Sequence, residues 1–127
     1  MSNNLEGKTV VWVEDDNFLG GIITKRLLKE GAKVIYMNTG VKAMEALADV
    51  VPDVLLLDVL LPDKDGFEVL EEVKRDERLK NVPVVMFSNL SQEENMIKAR
   101  KMGAADFYVK SNLTPDQIAE NIKEILS

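Results

Sequence analysis

Five short apolar runs alternate with five amphipathic stretches along the chain. The runs, Thr9–Val13, Lys33–Met37, Asp53–Asp58, Val82–Ser88 and Asp106–Val109, are candidate strands. The stretches Phe18–Glu30, Gly40–Val50, Gly66–Asp76, Gln92–Met102 and Pro115–Leu126 are candidate helices. The last is the clearest, because Ile118, Ile122, Ile125 and Leu126 fall on one face at helical spacing. Thr114 gives it an N-cap and Pro115 suits its first helical position. Gly31 and Gly103 each sit where a helix should end. Gly20-Gly21 fits poorly inside the first helix, where each glycine costs about 1 kcal/mol relative to alanine. A close helix contact is the plain explanation.

Val54–Leu57 and Val82–Phe87 are nearly continuous apolar runs, which implies strands buried on both faces. Five βα units in strict alternation then predict an α/β fold, a doubly wound five-stranded parallel sheet with helices on both faces. Right-handed crossovers make 2-1-3-4-5, the flavodoxin-like topology, the leading strand order. No repeat or linker divides residues 1–127, so a single domain is expected, with residues 1–7 as a flexible polar extension.

The chain has no cysteine and no histidine, which removes thiolate chemistry, Cys- or His-ligated metals and every His-based triad. Carboxylates, hydroxyls, amines and backbone remain. A formal net charge of -6 and a pI near 4.7 disfavour direct nucleic-acid binding and suit a cation binder. Met1–Gly7 lacks the charged and apolar regions of a signal peptide. The longest apolar stretch, Val54–Leu61, is broken by Asp58 and is too short to span a bilayer. A cytoplasmic protein is expected.

In the 2-1-3-4-5 order the crevice lies between strands 1 and 3, beyond their carboxyl ends. Glu14-Asp15-Asp16 closes strand 1 and Asp58 closes strand 3. Carboxylates gathered there repel unless a cation joins them, and an all-oxygen donor set selects a hard ion such as Mg2+. Ser88 at the end of strand 4 adds a hydroxyl, and Lys110 after strand 5 adds a compact positive charge. A metal, an ammonium and a hydroxyl around a nucleophilic carboxylate meet the needs of phosphoryl transfer. Taken singly, each residue has a duller role. Asp58 can be a solvated strand end, Asp16 or Asn17 a helix cap, Ser88 a loop residue and Lys110 a surface charge. Complementary groups from four strand ends at one edge favour the joint reading.

The segments VVWVEDD, DVLLLDVLLPDKDG, VPVVMFSN and AADFYVK, at these separations, resemble the receiver domain of two-component response regulators over essentially the whole chain. A single-domain, chemotaxis-regulator-like receiver is the nearest type. The resemblance implies that Asp58 is the phosphoacceptor, with a histidine kinase or phosphotransfer protein as donor. It implies Mg2+ held by Glu14 and Asp15, by Asp58 and by the backbone carbonyl of Leu60. Asp15 ligates directly and Glu14 acts mainly through water. Ser88 binds the phosphoryl group and Lys110 pairs with it. Ser88 and Phe107 form the switch that alters the helix 4–strand 5–helix 5 face, where a downstream protein or a second copy docks. Such a domain promotes its own phosphorylation and dephosphorylation and is not a turnover enzyme.

Three departures qualify the resemblance: Ser111 stands where the family has proline, Asn89 where it has a small residue, and Phe107 carries no phenol hydroxyl. A cis bond before Ser111 costs about 2.5–4 kcal/mol, so that loop is either trans and rearranged or strained. Leu60 and Leu90, both apolar, flank the site and predict slow dephosphorylation. A degenerate receiver acting as an unphosphorylated binding module is the alternative. A flavodoxin-like cofactor binder needs a phosphate loop where Glu14-Asp15-Asp16 stands. A haloacid-dehalogenase-type phosphatase needs an aspartate where Leu60 stands. No output domain follows Leu126, so signalling through a separate protein, or excision from a larger regulator, is expected.

Overall fold

The computed structural model describes residues 5–89 and 93–127. Its elements are β1 (Thr9–Val13), α1 (Asn17–Lys29), β2 (Lys33–Met37), α2 (Gly40–Asp49), β3 (Val54–Asp58), α3 (Gly66–Arg75), β4 (Val84–Ser88), α4 (Glu93–Lys101), β5 (Asp106–Val109) and α5 (Pro115–Leu126). The strands form one parallel sheet in the order β2-β1-β3-β4-β5. The sequence pattern predicts this order.

Alternation along each strand sorts the core into two layers. Val11, Val13, Leu55, Leu57, Val84 and Met86 pack beneath α2, α3 and α4, against Leu47, Leu70, Val73 and Ala99. Val10, Trp12, Val54, Leu56, Val85 and Phe87 face α1 and α5, against Ile23, Leu27, Ile118 and Ile122. Both faces of β3 and β4 are therefore buried, which is why their sequences read as unbroken apolar runs. Each fully buried leucine or valine contributes about 1.5–3 kcal/mol.

Short polar side chains set where the helices start. Asp16 accepts from the Phe18 and Leu19 amides, so it is the α1 cap and Asn17 opens the helix. Asp65 with Glu68, and Thr114 with Gln117, form capping boxes on α3 and α5. Gly31 (φ 91°) and Gly103 (φ 98°) follow α1 and α4 in the left-handed conformation that glycine tolerates best. β4 begins at Val84 rather than Val82, since the Val82 amide closes a turn on Leu79 and Pro83 has no N–H to give.

Two expectations meet a different structure. The chain is anchored at Leu5, which is fully buried and whose amide donates to the Glu30 carbonyl (3.0 Å), while Glu6 and Gly7 are exposed. Residues 1–4 of the expected extension lie outside the described residues, as do Leu90 and Gln92. Gly20 faces a strand residue and not another helix. A Cβ there would stand 2.4 Å from Cζ of Tyr36 on β2, whereas one on Gly21 would meet nothing within 4 Å.

Candidate functional site

The sheet register brings the acidic strand ends together. Val13 pairs with Leu57, which sets Glu14 beside Asp58 one step further on. Glu14 is fully buried and Asp58 is 2% exposed, while Asp15 is exposed at the rim. One carboxylate oxygen from each of Glu14, Asp15 and Asp58 lies within 4.8 Å of the others.

Lys110, at the end of β5, enters this cluster. Its Nζ lies 2.8 Å from Asp58 Oδ2 and 2.6 Å from Glu14 Oε1. The Asp58 contact is an aligned hydrogen bond. The Glu14 contact is an ion pair that leaves Oε1 buried without an aligned donor. Glu14 Oε2 accepts from the Asp16 amide (3.1 Å), and Asp58 Oδ1 accepts from the Leu60 amide (3.2 Å).

Burial dominates the electrostatics. It pushes the Glu14 carboxyl up to about 7, against the opposing pull of Lys110. It also raises Asp58, again opposed by Lys110. Burial works against the Lys110 ammonium, but its contacts with Asp58 and Glu14 outweigh that, and its pKa lies above the ordinary lysine value. One ammonium therefore serves two buried carboxylates, with the exposed Asp15 carboxylate close by. The all-oxygen donor set and the remaining negative charge fit a hard divalent cation such as Mg2+.

Glu14, Asp15, Asp16, Asp58, Leu60, Asn89 and Lys110 line a pocket of about 320 Å³. A larger hollow of about 420 Å³ lies on α4, among Glu94, Ile97, Lys98, Lys101 and Met102, away from this cluster. Chemistry and not volume singles out the smaller pocket. Ser88 ends β4 but is 1% exposed, and the exposed Asn89 stands in the pocket wall in its place. Phe107 is buried in the layer beneath α4. Of the apolar pair expected to flank the site, Leu60 is 57% exposed at the pocket wall and Leu90 lies outside the described residues. No peptide bond is cis among the described residues, and Lys110–Asn112 forms a 3-10 turn. The peptide before Ser111 is thus trans.

Three supporting residues have no role assigned from the sequence, although Asp63 and Gly66 lie in the DVLLLDVLLPDKDG segment. Asp63 bridges the β3–α3 loop to the start of α2, accepting from the Gly40 and Val41 amides (both 2.8 Å). Gly66 lies against the Asp58 backbone, where a Cβ would stand 2.3 Å from the Asp58 carbonyl oxygen. Tyr36 donates its hydroxyl to the Glu14 carbonyl. Asp63 and Gly66 left a trace as members of that segment, and Tyr36 through the misplaced Gly20.

A family model described as the response regulator receiver domain matches residues 10–123. The chain belongs to that family. This receiver is 38% identical over 104 residues to the transcriptional regulatory protein RstA of Escherichia coli K12, a match covering 81% of the chain and 42% of RstA. The receiver spans about half the length of the curated relatives it matches. It superposes on the BeF3-activated N-terminal receiver domain of Klebsiella pneumoniae RstA with a TM-score of 0.84 and 30% identity, covering 93% of this chain and 97% of that one. The chemotaxis response regulator CheY4 of Vibrio cholerae gives a TM-score of 0.87 at 23% identity, covering 94% and 98%, a likeness of fold. The receiver is thus a module of two-component signalling. No helix among its described residues is long and apolar enough to cross a membrane.

Proposed function

We propose that the receiver accepts a phosphoryl group on Asp58 from a histidine-kinase or phosphotransfer phosphohistidine, in a Mg2+-dependent reaction. The observation that carries this reading is the Lys110 ammonium, held 2.8 Å from a buried Asp58 carboxylate in the wall of an acidic pocket. An Asp58 carboxylate oxygen attacks phosphorus, an acyl phosphate forms, and the P–N bond breaks with its electron pair leaving on the imidazole. Lys110 then pairs with a phosphoryl oxygen. Ser88 donates its hydroxyl to another once it turns toward the pocket. Glu14, Asp15, Asp58 and the Leu60 carbonyl would hold Mg2+, which supplies charge neutralisation for the transferring group.

Movement of Ser88 and repacking of Phe107 connect the site to the surface formed by α4, β5 and α5, where a protein partner or a second receiver docks. In this reading the domain signals without turnover, and cytoplasmic residence follows from its partners. Because the relatives are longer transcriptional regulators, any DNA contact would belong to a fused domain.

Treatment with a small-molecule phosphodonor and Mg2+, followed by intact-mass measurement, tests the proposal. The wild type should gain one phosphoryl group and Asp58→Asn none. Equal labelling of both would remove Asp58 from its role, and labelling of neither would favour a degenerate binding module.

A further inference from the structure

Glu14 and Asp15 are held very differently. Glu14 is tied at its amide to the Met37 carbonyl (3.0 Å), at Oε1 to Lys110 and at Oε2 to the Asp16 amide. The Asp15 carboxylate is exposed and accepts no hydrogen bond from any described residue, so its direction follows the peptide that precedes it. That peptide begins at the Glu14 carbonyl, and its oxygen accepts the hydroxyl of Tyr36. The same hydroxyl lies 3.0 Å from Asn17 Oδ1, which also accepts from Asn38 Nδ2 (3.3 Å). The far end of β2, with Asn38 just beyond it, thus meets the β1–α1 loop at Glu14 and the start of α1 at Asn17.

The ring reaches this place only because residue 20 has no side chain. A Cβ on Gly20 would stand 2.4 Å from Cζ and 2.5 Å from the hydroxyl oxygen of Tyr36, far inside ordinary contact. Gly21 offers no such reason, since a Cβ there would meet open space. The helix-breaking residue at position 20 is therefore explained by the phenol, and the phenol by what it holds.

We propose that Tyr36 is a positioning residue for the acidic pair: its hydroxyl fixes the Glu14–Asp15 peptide and so aims Asp15 at the cation, with Gly20 leaving the space its ring fills. The inference rests on the reading above that Glu14 and Asp15 hold a divalent ion. Outer partners that orient metal ligands are commonly worth tenfold or more in affinity.

Mg2+ affinity measured by titration calorimetry on the whole chain, without phosphodonor, tests it. Tyr36→Phe keeps the ring over Gly20 and removes only the hydroxyl, so the fold is retained. It should bind Mg2+ roughly tenfold more weakly. At saturating Mg2+ its rate of phosphodonor labelling should return to the wild-type rate, which a general loss of structure would not allow. Gly20→Ala, which displaces the ring, should weaken Mg2+ binding in the same direction. The double variant should lose no more than the single ones, because both break one contact. Gly21→Ala should bind as the wild type does. Wild-type affinity in Tyr36→Phe would overturn the inference and leave the proposed function standing. A wild type that binds no Mg2+ would overturn both.

Discussion

Replacing Gly66 by alanine tests how closely the acceptor is built into the fold. Its Cβ would stand 2.3 Å from the Asp58 carbonyl oxygen and 2.8 Å from Cα of Val59. Both obstacles are backbone, so no rotamer change relieves them. The start of α3 and the end of β3 must part by about an ångström to restore ordinary contact. Overpacking of this kind costs about 1–3 kcal/mol. The Gly66 amide also donates to the Val59 carbonyl at 2.8 Å, and stretching that bond costs about 1 kcal/mol more. A loss of roughly 3 kcal/mol is expected, which for a chain of this length lowers Tm by about 10 °C. Gly21→Ala is the control. It sits in open space inside α1 and should stabilise by about 1 kcal/mol through helix propensity alone. Thermal and urea unfolding followed by circular dichroism read both. Gly66→Ala unfolding together with the wild type would refute the contact.

Three further outcomes follow from the site and its surroundings. Lys110→Met leaves Glu14 and Asp58 buried without their cation and should cost roughly 3 kcal/mol in metal-free buffer. Mg2+ should restore most of that loss, and a urea midpoint unmoved by the substitution would contradict the pairing. Lys123 and Arg26 hold the Glu30 carboxyl below its ordinary value, so its contribution to stability is present above the unfolded pKa and fades as pH falls through the lower, folded one. Glu30→Gln should therefore be less stable than the wild type at neutral pH, with the gap closing in acid below about 4.3; a gap that is constant with pH would count against the ion pairs. Leu60, exposed at the pocket wall, offers no hydrogen bond to an attacking water, so the acyl phosphate should decay slowly and Leu60→Asn should hasten its loss. Identical decay, followed by intact mass over time, would remove Leu60 from that role.

The sheet order was legible because β3 and β4 must be buried on both faces, and the acidic pocket because strand ends meet where the winding reverses. Lys110 looked like any surface lysine by itself, yet its place after β5 pointed to the cluster it enters. What stayed hidden depends on approach between residues distant in sequence. Tyr36 meets Glu14 across 22 positions and Asp63 meets Gly40 across 23, and neither pair has a motif. Gly66 ends the DVLLLDVLLPDKDG segment, yet only the packed structure shows its closeness to the Asp58 carbonyl. Leu5 stands alone among polar residues, so no periodicity marks it as part of the core. Ser88 ends a strand at the right edge, but alternation along β4 could not tell that Asn89 would take its place in the pocket wall.

The central claim is that Asp58 alone carries the phosphoryl group. Borohydride reduces an acyl phosphate and leaves the modified aspartate as homoserine, which tandem mass spectrometry of the digested protein can place. After phosphodonor and Mg2+, the account predicts homoserine at Asp58 and at no other aspartate. Conversion at Asp15, Asp16 or Asp63, or at no position while the protein gains phosphoryl mass, would contradict it.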